Sequence, residues 1–275
     1  MRSIIIKIIR KIIFTFRRIR GFRSLELFGI KVKLSPFSEM SESVWFHYPK
    51  KSPKDRIVAY ADYVQWHSLV EKIRILDRPP VILEIGAHHG VYAAVLGKLI
   101  KAKGGQFIAV EASPSNTIEL KKNITLNDLE NVVKVEQIFL SDSTRDGYVY
   151  FKEAGVQSTL TDEYDLCSIK VPCESITSFI SRLNINHIDI LLVDIEGAEA
   201  ELMPSFPWGT VSVKNIYCEL HPGEWSLFGG HEKFDKMLTE QKFICLDMYL
   251  TQYKDVRNQY YIGPTVLLKR EQFRE

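Results

Sequence analysis

The sequence predicts an α/β fold in which a doubly wound, mostly parallel seven-stranded sheet includes an antiparallel closing strand. From residue 79 onward, short apolar runs alternate with longer segments of helical periodicity, the pattern of a parallel sheet with helices on both faces. The last two apolar runs, at 243–250 and 260–270, follow each other without a clear helix, so a hairpin there places one strand antiparallel. A length of 275 residues suits one such domain with additional segments.

The order of the elements follows from the positions of these runs. An extension at residues 24–78 contains a strand or hairpin arm at 25–34, a polar loop at 35–54 and a helix at 57–76. The main domain spans 79–275, and a hairpin that begins at 148–151 interrupts its regular alternation. Its other predicted strands lie at 81–87, 106–112, 132–140, 188–196 and 215–222, and its helices at 88–100, 113–127, 176–183 and 231–241.

Residues 1–23 form a basic appendage. They carry eight Lys and Arg side chains and no acidic one; because the whole chain has a net charge of +2, residues 24–275 carry −6. On a helical wheel, most of these charges lie opposite an isoleucine-rich side. The uncharged stretches are too short for a membrane-spanning helix or a signal peptide. Two alternatives remain for residues 1–22: an amphipathic helix on a membrane surface, or a helix packed on the domain or on another subunit.

Composition restricts the class of protein further. The chain is 45% hydrophobic and 25% charged, which is typical of a folded domain, and the mildly acidic body argues against a nucleic-acid-binding surface. Its four cysteines show no two-residue spacing of the kind found in zinc or redox motifs. They are interpreted as reduced thiols, so the predicted location is cytoplasmic, with peripheral membrane contact as an option. Self-association is left open.

The first predicted strand leads into a turn with the sequence EIGAHHG, at residues 84–90. Gly86 permits a tight turn and close approach of a ligand, and Gly90 lets the next helix pack on the sheet. The spacing differs from the G-x-G-x-x-G of dinucleotide-binding folds. Glu84 would repel a pyrophosphate but attracts S-adenosyl-L-methionine (SAM), which has a cationic sulfonium and amino group and no phosphate. Main-chain N–H groups near Ala87 can donate hydrogen bonds to the methionine carboxylate.

Two further strand ends complete the predicted cofactor site. Glu111, followed by Ala112, ends the second strand 21 residues after Gly90, where a carboxylate can accept both ribose hydroxyls. The third strand runs into Ser141 and Asp142, where a short polar side chain can meet the adenine amino group. Each feature alone is typical of a surface cap, but the three occur in the order and spacing that a SAM site requires.

Four residues at the next strand ends are candidates for catalysis. Asp194 and Glu196 follow the fourth parallel strand, and their side chains alternate if the strand continues that far. Glu219 and His221 have the same spacing at the end of the following strand. A hydroxyl acceptor profits from a general base, for which the order of preference is His221, Asp194, Glu196. Alternatively, the acids hold the cofactor or cap a helix, and His221 shapes a loop.

Metal binding is the less favoured interpretation of these side chains. Asp194, Glu219 and His221 offer ligand types that bind divalent metals, so this alternative stays open. The adjacent His88 and His89 diverge at a helix start, where cofactor contact or loop packing is the expected role. We therefore predict no metal site.

Five motifs resemble the FkbM-type methyltransferase family, with similarity over about residues 78–250. They are EIGAHHG at 84–90, VEASP at 110–114, LSD at 140–142, DIEGAE at 194–199 and CELHP at 218–222. DIEGAE is the most specific, since other Rossmann-like enzymes have no reason to carry it. The resemblance implies a class I methyltransferase (Rossmann-like) fold, SAM as cofactor and O-methylation of sugars, polyketides or related metabolites. His88 departs from the asparagine usual in the family, which affects only the detailed cofactor contact.

The resemblance and the residue patterns together define a candidate cofactor site and a function. The cofactor-binding residues are expected to be Glu84, Gly86, Ala87, His88, Gly90, Glu111, Ala112, Ser141, Asp142 and Asp194. The expected function is a SAM-dependent O-methyltransferase acting on a hydroxyl of a saccharide, glycolipid or related metabolite. The alternatives are a methyltransferase for a polyketide, peptide or protein, and a non-catalytic nucleotide-binding protein with the same fold.

Overall fold

A seven-stranded sheet forms the centre of the protein in the computed structural model, which describes residues 21–38, 53–142, 147–152, 159–161, 168–248, 252 and 263–269. The strands are β1 (Arg23–Leu27), β2 (Ile30–Leu34), β3 (Val81–Ile85), β4 (Gln106–Glu111), β5 (Val133–Gln137), β6 (Phe139–Ser141), β7 (Gly147–Lys152), β8 (Thr159–Thr161), β9 (Ser168–Ser175), β10 (His187–Val193), β11 (Ser212–Leu220), β12 (Phe243–Asp247) and β13 (Gly263–Lys269). The helices are α1 (Pro53–Ile75), α2 (Val91–Lys101), α3 (Pro114–Thr125), α4 (Ile176–Arg182), α5 (Glu199–Ser205) and α6 (Glu232–Glu240), with a 3₁₀ helix at Pro222–Phe228.

The strand order of the central sheet is β12-β13-β11-β10-β3-β4-β5. β3, β4, β5, β10 and β11 run parallel, whereas β13 is antiparallel to both β11 and β12. This arrangement confirms the predicted class I methyltransferase fold, including the antiparallel closing strand. The chain moves outward from β3 to β5 and then returns to β10 on the other side of β3. The strand order therefore reverses between β3 and β10, where ligands of open α/β sheets bind.

Two hydrophobic clusters cover the two faces of the sheet. Alternate residues of each strand face opposite clusters: Ile82 packs with α1, α2, α3 and the β1–β2 hairpin, and Leu83 packs with α4, α5 and α6. Trp66, Leu69 and Ile73 recur at helical spacing along α1 and pack on the first face of the sheet. All three are almost fully buried. Burial of a side chain of this size stabilises the fold by about 1.5–3 kcal/mol.

Local capping residues set the starts of α3 and α4 in the main domain. Ser113 precedes α3 and accepts a hydrogen bond from the main-chain N–H of Asn116, and Pro114 occupies the first helical position. Ser175 caps α4 in the same way through the N–H of Ser178. Both helices begin within a residue of their predicted positions, because a side-chain cap is encoded within a few residues of sequence.

The predicted strand at 132–140 is divided between two sheets, which corrects the single third strand. β5 belongs to the central sheet, whereas β6 pairs in parallel with β9 in a separate sheet of order β6-β9-β7-β8. Ile138 separates the two strands, and its N–H donates to the carbonyl of Glu111 at 3.2 Å. The predicted hairpin beginning at 148–151 lies in this second sheet, where β7 pairs antiparallel with β8 and β9.

The β1–β2 hairpin is attached to α3 by buried asparagines. Asn123 accepts from the N–H of Ser35 at 2.6 Å and donates to the carbonyl of His89 at 2.6 Å. Asn127 exchanges hydrogen bonds with both main-chain groups of Lys33. The hairpin thus joins the same core as the main domain, and the domain boundary near residue 79 stays a prediction.

The predicted amphipathic helix at 1–22 lies almost entirely outside the described residues, which begin at 21. Among the helices of the described part of the chain, none is long and apolar enough to cross a bilayer.

Candidate active site

The turn after β3 brings the ends of β3 and β10 into direct contact. Gly86 has φ +89°, and a Cβ there would lie 1.7 Å from the carbonyl oxygen of Asp194. The main-chain N–H groups of Gly86 and Ala87 both donate to the carbonyl of Val110, at 3.0 and 2.9 Å. Glycine is therefore required by an approach of main chain to main chain, in addition to any approach of a ligand.

The carboxylate of Glu111 stabilises this turn through hydrogen bonds to the main chain. Its carboxylate accepts hydrogen bonds from the main-chain N–H of His88 at 2.7 Å and of Ser113 at 2.8 Å, and from Nδ2 of Asn116 at 3.3 Å. His88 itself has φ +48°, an unusual conformation for a residue with a side chain. The predicted ribose ligand thus also holds the loop that follows Gly86.

Glu84 presents a buried carboxyl group to the same region. It is 4% exposed, and its Oε2 atom has no hydrogen-bond partner among the described residues. Burial, together with the carboxylates of Asp194 and Glu111, raises the pKa of Glu84 well above its usual range. An unpaired buried acceptor costs free energy, which a cationic or donor ligand can recover.

A crevice opens at the reversal of strand order between β3 and β10. It is lined by Gln65, Glu84, Ile85, Gly86, Ala87, His88, Val91, Tyr92, Leu192, Val193, Asp194, Tyr217 and Glu219. Among the predicted cofactor residues, Glu84, Gly86, Ala87, His88 and Asp194 belong to this wall. Gly90, Glu111, Ala112, Ser141 and Asp142 lie outside the wall.

Helix α1 contributes to the crevice wall, which the sequence did not indicate. Nε2 of Gln65 donates to the Tyr92 hydroxyl at 3.0 Å, and the hydroxyls of Ser68 and Tyr217 are 2.7 Å apart. These contacts join α1 to α2 and β11. Helical periodicity identified the apolar face of α1, but no local signal marks polar residues that meet partners far along the chain.

Asp194 lies at the crevice mouth, directly after the last residue of β10. Its N–H donates to the carbonyl of Ile85 at 3.0 Å, and its side chain is exposed to the crevice, with protein on the other sides. Removal from bulk water, together with Glu219, raises the pKa of Asp194 well above its usual range, and the neighbouring His221 opposes this rise.

Glu196 departs from the predicted alternation, because β10 ends at Val193. The residue has φ +51° in the turn before α5. It is partly buried, and this burial raises its pKa while nearby His221 lowers it. Its Oε2 lies 3.6 Å from Nε2 of His221. A turn, rather than a continued strand, therefore places Asp194 and Glu196 near the same imidazole.

His221 lies between carboxylates. Nδ1 of its ring is 3.3 Å from Oε1 of Glu199, and its main-chain N–H donates a hydrogen bond to the same oxygen at 2.5 Å. Burial alone would lower the pKa of His221, but Glu199, Asp194 and Glu196 raise it to about 9. The imidazole is therefore protonated at neutral pH, which removes it as the first proton acceptor in the ligand-free protein.

Asp194, Glu219 and His221 come together as the sequence predicted. Each offers one atom, and these atoms lie within 4.8 Å of one another. This is compatible in size with a divalent-metal site. Two further carboxylates flank the imidazole, with Nδ1 of His221 3.3 Å from Glu199 and Nε2 3.6 Å from Glu196. The arrangement favours an imidazolium among acids.

The main chain at Asp142 is hydrogen-bonded to Glu201. Its N–H donates to Oε1 of Glu201 at 3.2 Å, and its carboxylate lies 4.0 Å from Nζ of Lys233. Ser141 is buried at the end of β6. Both residues follow the second sheet rather than the central one, so the LSD motif approaches the site from β6.

Three aromatic residues near the site, Trp208, Trp225 and Phe228, pack in the core or against it. Trp225 and Phe228 lie on the 3₁₀ helix and are 1% and 8% exposed, and Trp225 packs on Phe234 with ring centroids 4.7 Å apart. Trp208 packs between Phe206 and Phe243.

Comparison with known proteins identifies the family. Residues 84–245, more than half of the chain, match the Methyltransferase FkbM domain. A similar solved structure is the O-methyltransferase from Bacillus cereus in complex with SAH, with TM-score 0.45, 12% identity and coverage of 82% of this chain and 85% of that one. Another is the SAM-dependent methyltransferase from Agrobacterium tumefaciens, with TM-score 0.42, 14% identity and coverage of 90% and 69%. No curated protein matches the sequence. By its match over residues 84–245, the chain belongs to the family of FkbM-domain methyltransferases.

Proposed function

We propose that this methyltransferase uses SAM to methylate a hydroxyl group of a saccharide, glycolipid or related metabolite. The observation that carries the proposal is the acid-rich crevice at the reversal of strand order. Glu84, Asp194 and Glu219 all line it. Such a wall attracts a donor with two cationic groups and repels a phosphate-bearing one.

The residues present fit this donor chemically. Glu84 offers a buried acceptor that has no partner among the described residues, which suits the amino group. The main-chain N–H groups of Gly86, Ala87 and His88 already donate within the protein, so the methionine carboxylate needs other donors. Glu111 ends β4 beside this turn, and we assign it to the ribose hydroxyls, because a carboxylate accepts hydrogen bonds from hydroxyl donors. Asp142 suits the adenine amino group. When bound, SAM supplies an electrophilic methyl group on its sulfonium.

The chain's own contribution is to align the acceptor and remove its proton. We assign the proton-accepting role to Asp194, because it faces the crevice, whereas His221 lies behind it and is protonated. A positively charged neighbour favours the ionised form of Asp194, so His221 keeps this carboxylate available as a base. Alignment contributes up to ~7–11 kcal/mol in ideal cases, and general-base assistance about 10²–10⁴ in rate.

Calorimetry with SAM, S-adenosylhomocysteine and NAD tests the donor. We expect micromolar-range binding of the first two and none of NAD; tight binding of NAD alone would refute the proposal. Asp194→Asn should keep S-adenosylhomocysteine binding and lose methyl transfer, which separates the chemical role from folding.

A methyl-labelling screen tests the acceptor. Purified protein and SAM with an isotopically labelled methyl group are incubated with glycan, glycolipid, polyketide and peptide pools, with Asp194→Asn as the matched control. Label that depends on Asp194 should appear in a carbohydrate fraction. Label in peptides alone would replace the proposed acceptor class.

We further propose that residues 1–22 contact a membrane surface. Their seven Lys and Arg side chains and the isoleucine-rich opposite side support this role. A deletion of residues 1–20 retains Phe22, whose ring lies 5.2 Å from Nζ of Lys33. We expect the deletion to abolish flotation with anionic liposomes while thermal unfolding is unchanged. An aggregated or unfolded product would instead favour packing on the domain.

A further inference from the structure

Glu199 is a buried carboxylate that the predicted chemistry does not include. It is 0% exposed, on the first turn of α5. Its Oε2 accepts from the N–H of Gly197 at 2.8 Å, and its Oε1 accepts from Nε1 of Trp225 at 3.0 Å. The same Oε1 accepts from the N–H of His221. One side chain therefore connects the turn after β10, the end of β11 and the 3₁₀ helix.

The contacts with His221 give this carboxylate an additional electrostatic role. Nδ1 of His221 lies 3.3 Å from Glu199, while Nε2 points towards Glu196 at 3.6 Å. One nitrogen of the imidazole thus faces the fully buried Glu199, and the other faces the partly exposed Glu196. Charged groups face it from α5 (Glu199), from the turn after β10 (Asp194 and Glu196) and from β11 (Glu219).

We infer that Glu199 is a positioning residue, which holds His221 as an imidazolium beside Asp194 and so favours the ionised form of Asp194. The inference rests on the proposed methyl transfer, in which Asp194 accepts the proton of the acceptor hydroxyl. Glu199 does not touch the crevice wall and acts only through His221. An orienting acid, an imidazole and a reacting group in sequence follow the general logic of catalytic triads.

Glu201 provides a matched control on the same helix. It is also a buried carboxylate of α5, two residues further on, and accepts a main-chain hydrogen bond from Asp142. The acids that raise the pKa of His221 are Glu199, Asp194 and Glu196. Glu199→Gln and Glu201→Gln therefore remove one buried charge each, but only the first faces the imidazole.

Titration of His221 by NMR in the ligand-free full-length protein tests the inference, with His221→Gln used to assign the resonance. An opposite charge within about 4–6 Å shifts a pKa by roughly 1–3 units, so Glu199→Gln should lower that of His221 by at least about one unit. Glu201→Gln should leave the pKa of His221 unchanged. Trp225→Phe removes a competing donor to Glu199, so it should raise the pKa of His221. An unchanged titration in both Glu199→Gln and Trp225→Phe would overturn the inference.

The pH dependence of kcat/KM gives a second measurement. Asp194 must be ionised and His221 protonated, so the wild-type profile should be bell-shaped. In Glu199→Gln, the acidic limb should move to higher pH and the alkaline limb to lower pH, whereas Glu201→Gln should keep both limbs. A uniform loss of rate without movement of either limb would indicate a purely structural role.

The two measurements separate this inference from the proposed function. The NMR titration needs neither donor nor acceptor, so a wild-type protein that fails to transfer methyl groups would leave its result valid while refuting the function. A shift of the His221 resonance on addition of Mg²⁺ would show metal ligation instead and would overturn the inference.

Discussion

The contact between Gly86 and Asp194 allows a sharp test of how the active-site turn is built. A Cβ at position 86 would lie 1.7 Å from the Asp194 carbonyl oxygen, and real Cβ contacts stay above 3.0 Å. In Gly86→Ala, the ends of β3 and β10 must therefore separate by more than 1 Å. Main-chain hydrogen bonds from Gly86, Ala87 and Asp194 lie directly in the region that must move.

The expected cost follows from these parts. A left-handed conformation costs about 1–2 kcal/mol for an alanine. Each buried main-chain group that loses its partner costs ~1–3 kcal/mol. We therefore expect Gly86→Ala to lower the free energy of unfolding by at least about 4 kcal/mol, a large part of the ~5–15 kcal/mol typical of a domain. Displacement of Asp194 should also abolish methyl transfer.

Gly104→Ala is the matched control, because Gly104 has φ +67° but no atom within 4 Å of the position of a Cβ. Gly104→Ala should lower the free energy of unfolding only by the cost of a left-handed alanine, about 1–2 kcal/mol. Urea unfolding followed by circular dichroism and tryptophan fluorescence measures both variants. Equal stability of the two variants would refute the argument that a main-chain approach requires glycine at position 86.

Three further predictions concern charges of the site. Glu84→Gln should leave thermal stability unchanged or raise it, because it removes a buried carboxyl group beside Asp194. The same change should weaken SAM binding, measured by calorimetry, at least about tenfold. An unchanged affinity would show that Glu84 does not belong to the donor site. Glu111→Ala should weaken SAM binding strongly and also destabilise the turn, whereas Glu111→Gln keeps acceptor capacity and should lose less of both; equal effects would contradict the hydrogen-bonding role. His221 has a folded pKa of about 9 against 6.5 unfolded, so its stabilisation is complete below pH 6.5 and disappears as the pH rises through 9. It amounts to roughly 3 kcal/mol, and the difference in urea stability between wild type and His221→Gln should shrink over that window; a constant difference from pH 6 to 10 would contradict the assignment.

Local patterns in the sequence were sufficient for the fold class. Apolar runs indicate strands that are buried on both faces, and apolar residues at helical spacing indicate a helix with one buried face. Both patterns can be recognised from residues that are close together in the sequence. The EIGAHHG turn and the acids at successive strand ends could be assigned to one edge of the sheet, since parallel strands end on the same side. Asp194, Glu219 and His221 were grouped correctly for that reason.

The tertiary structure alone decided how those groups interact. Glu199 contacts His221 across 22 residues of sequence, and Glu201 contacts Asp142 across 59, so neither partner could be chosen from local spacing. The break at Ile138 depends on pairing of β6 with β9 rather than with β4. The charge on His221 likewise depends on which carboxylates surround it. Burial and electrostatics are properties of the assembled chain, because they arise from long-range neighbours that a local pattern does not encode.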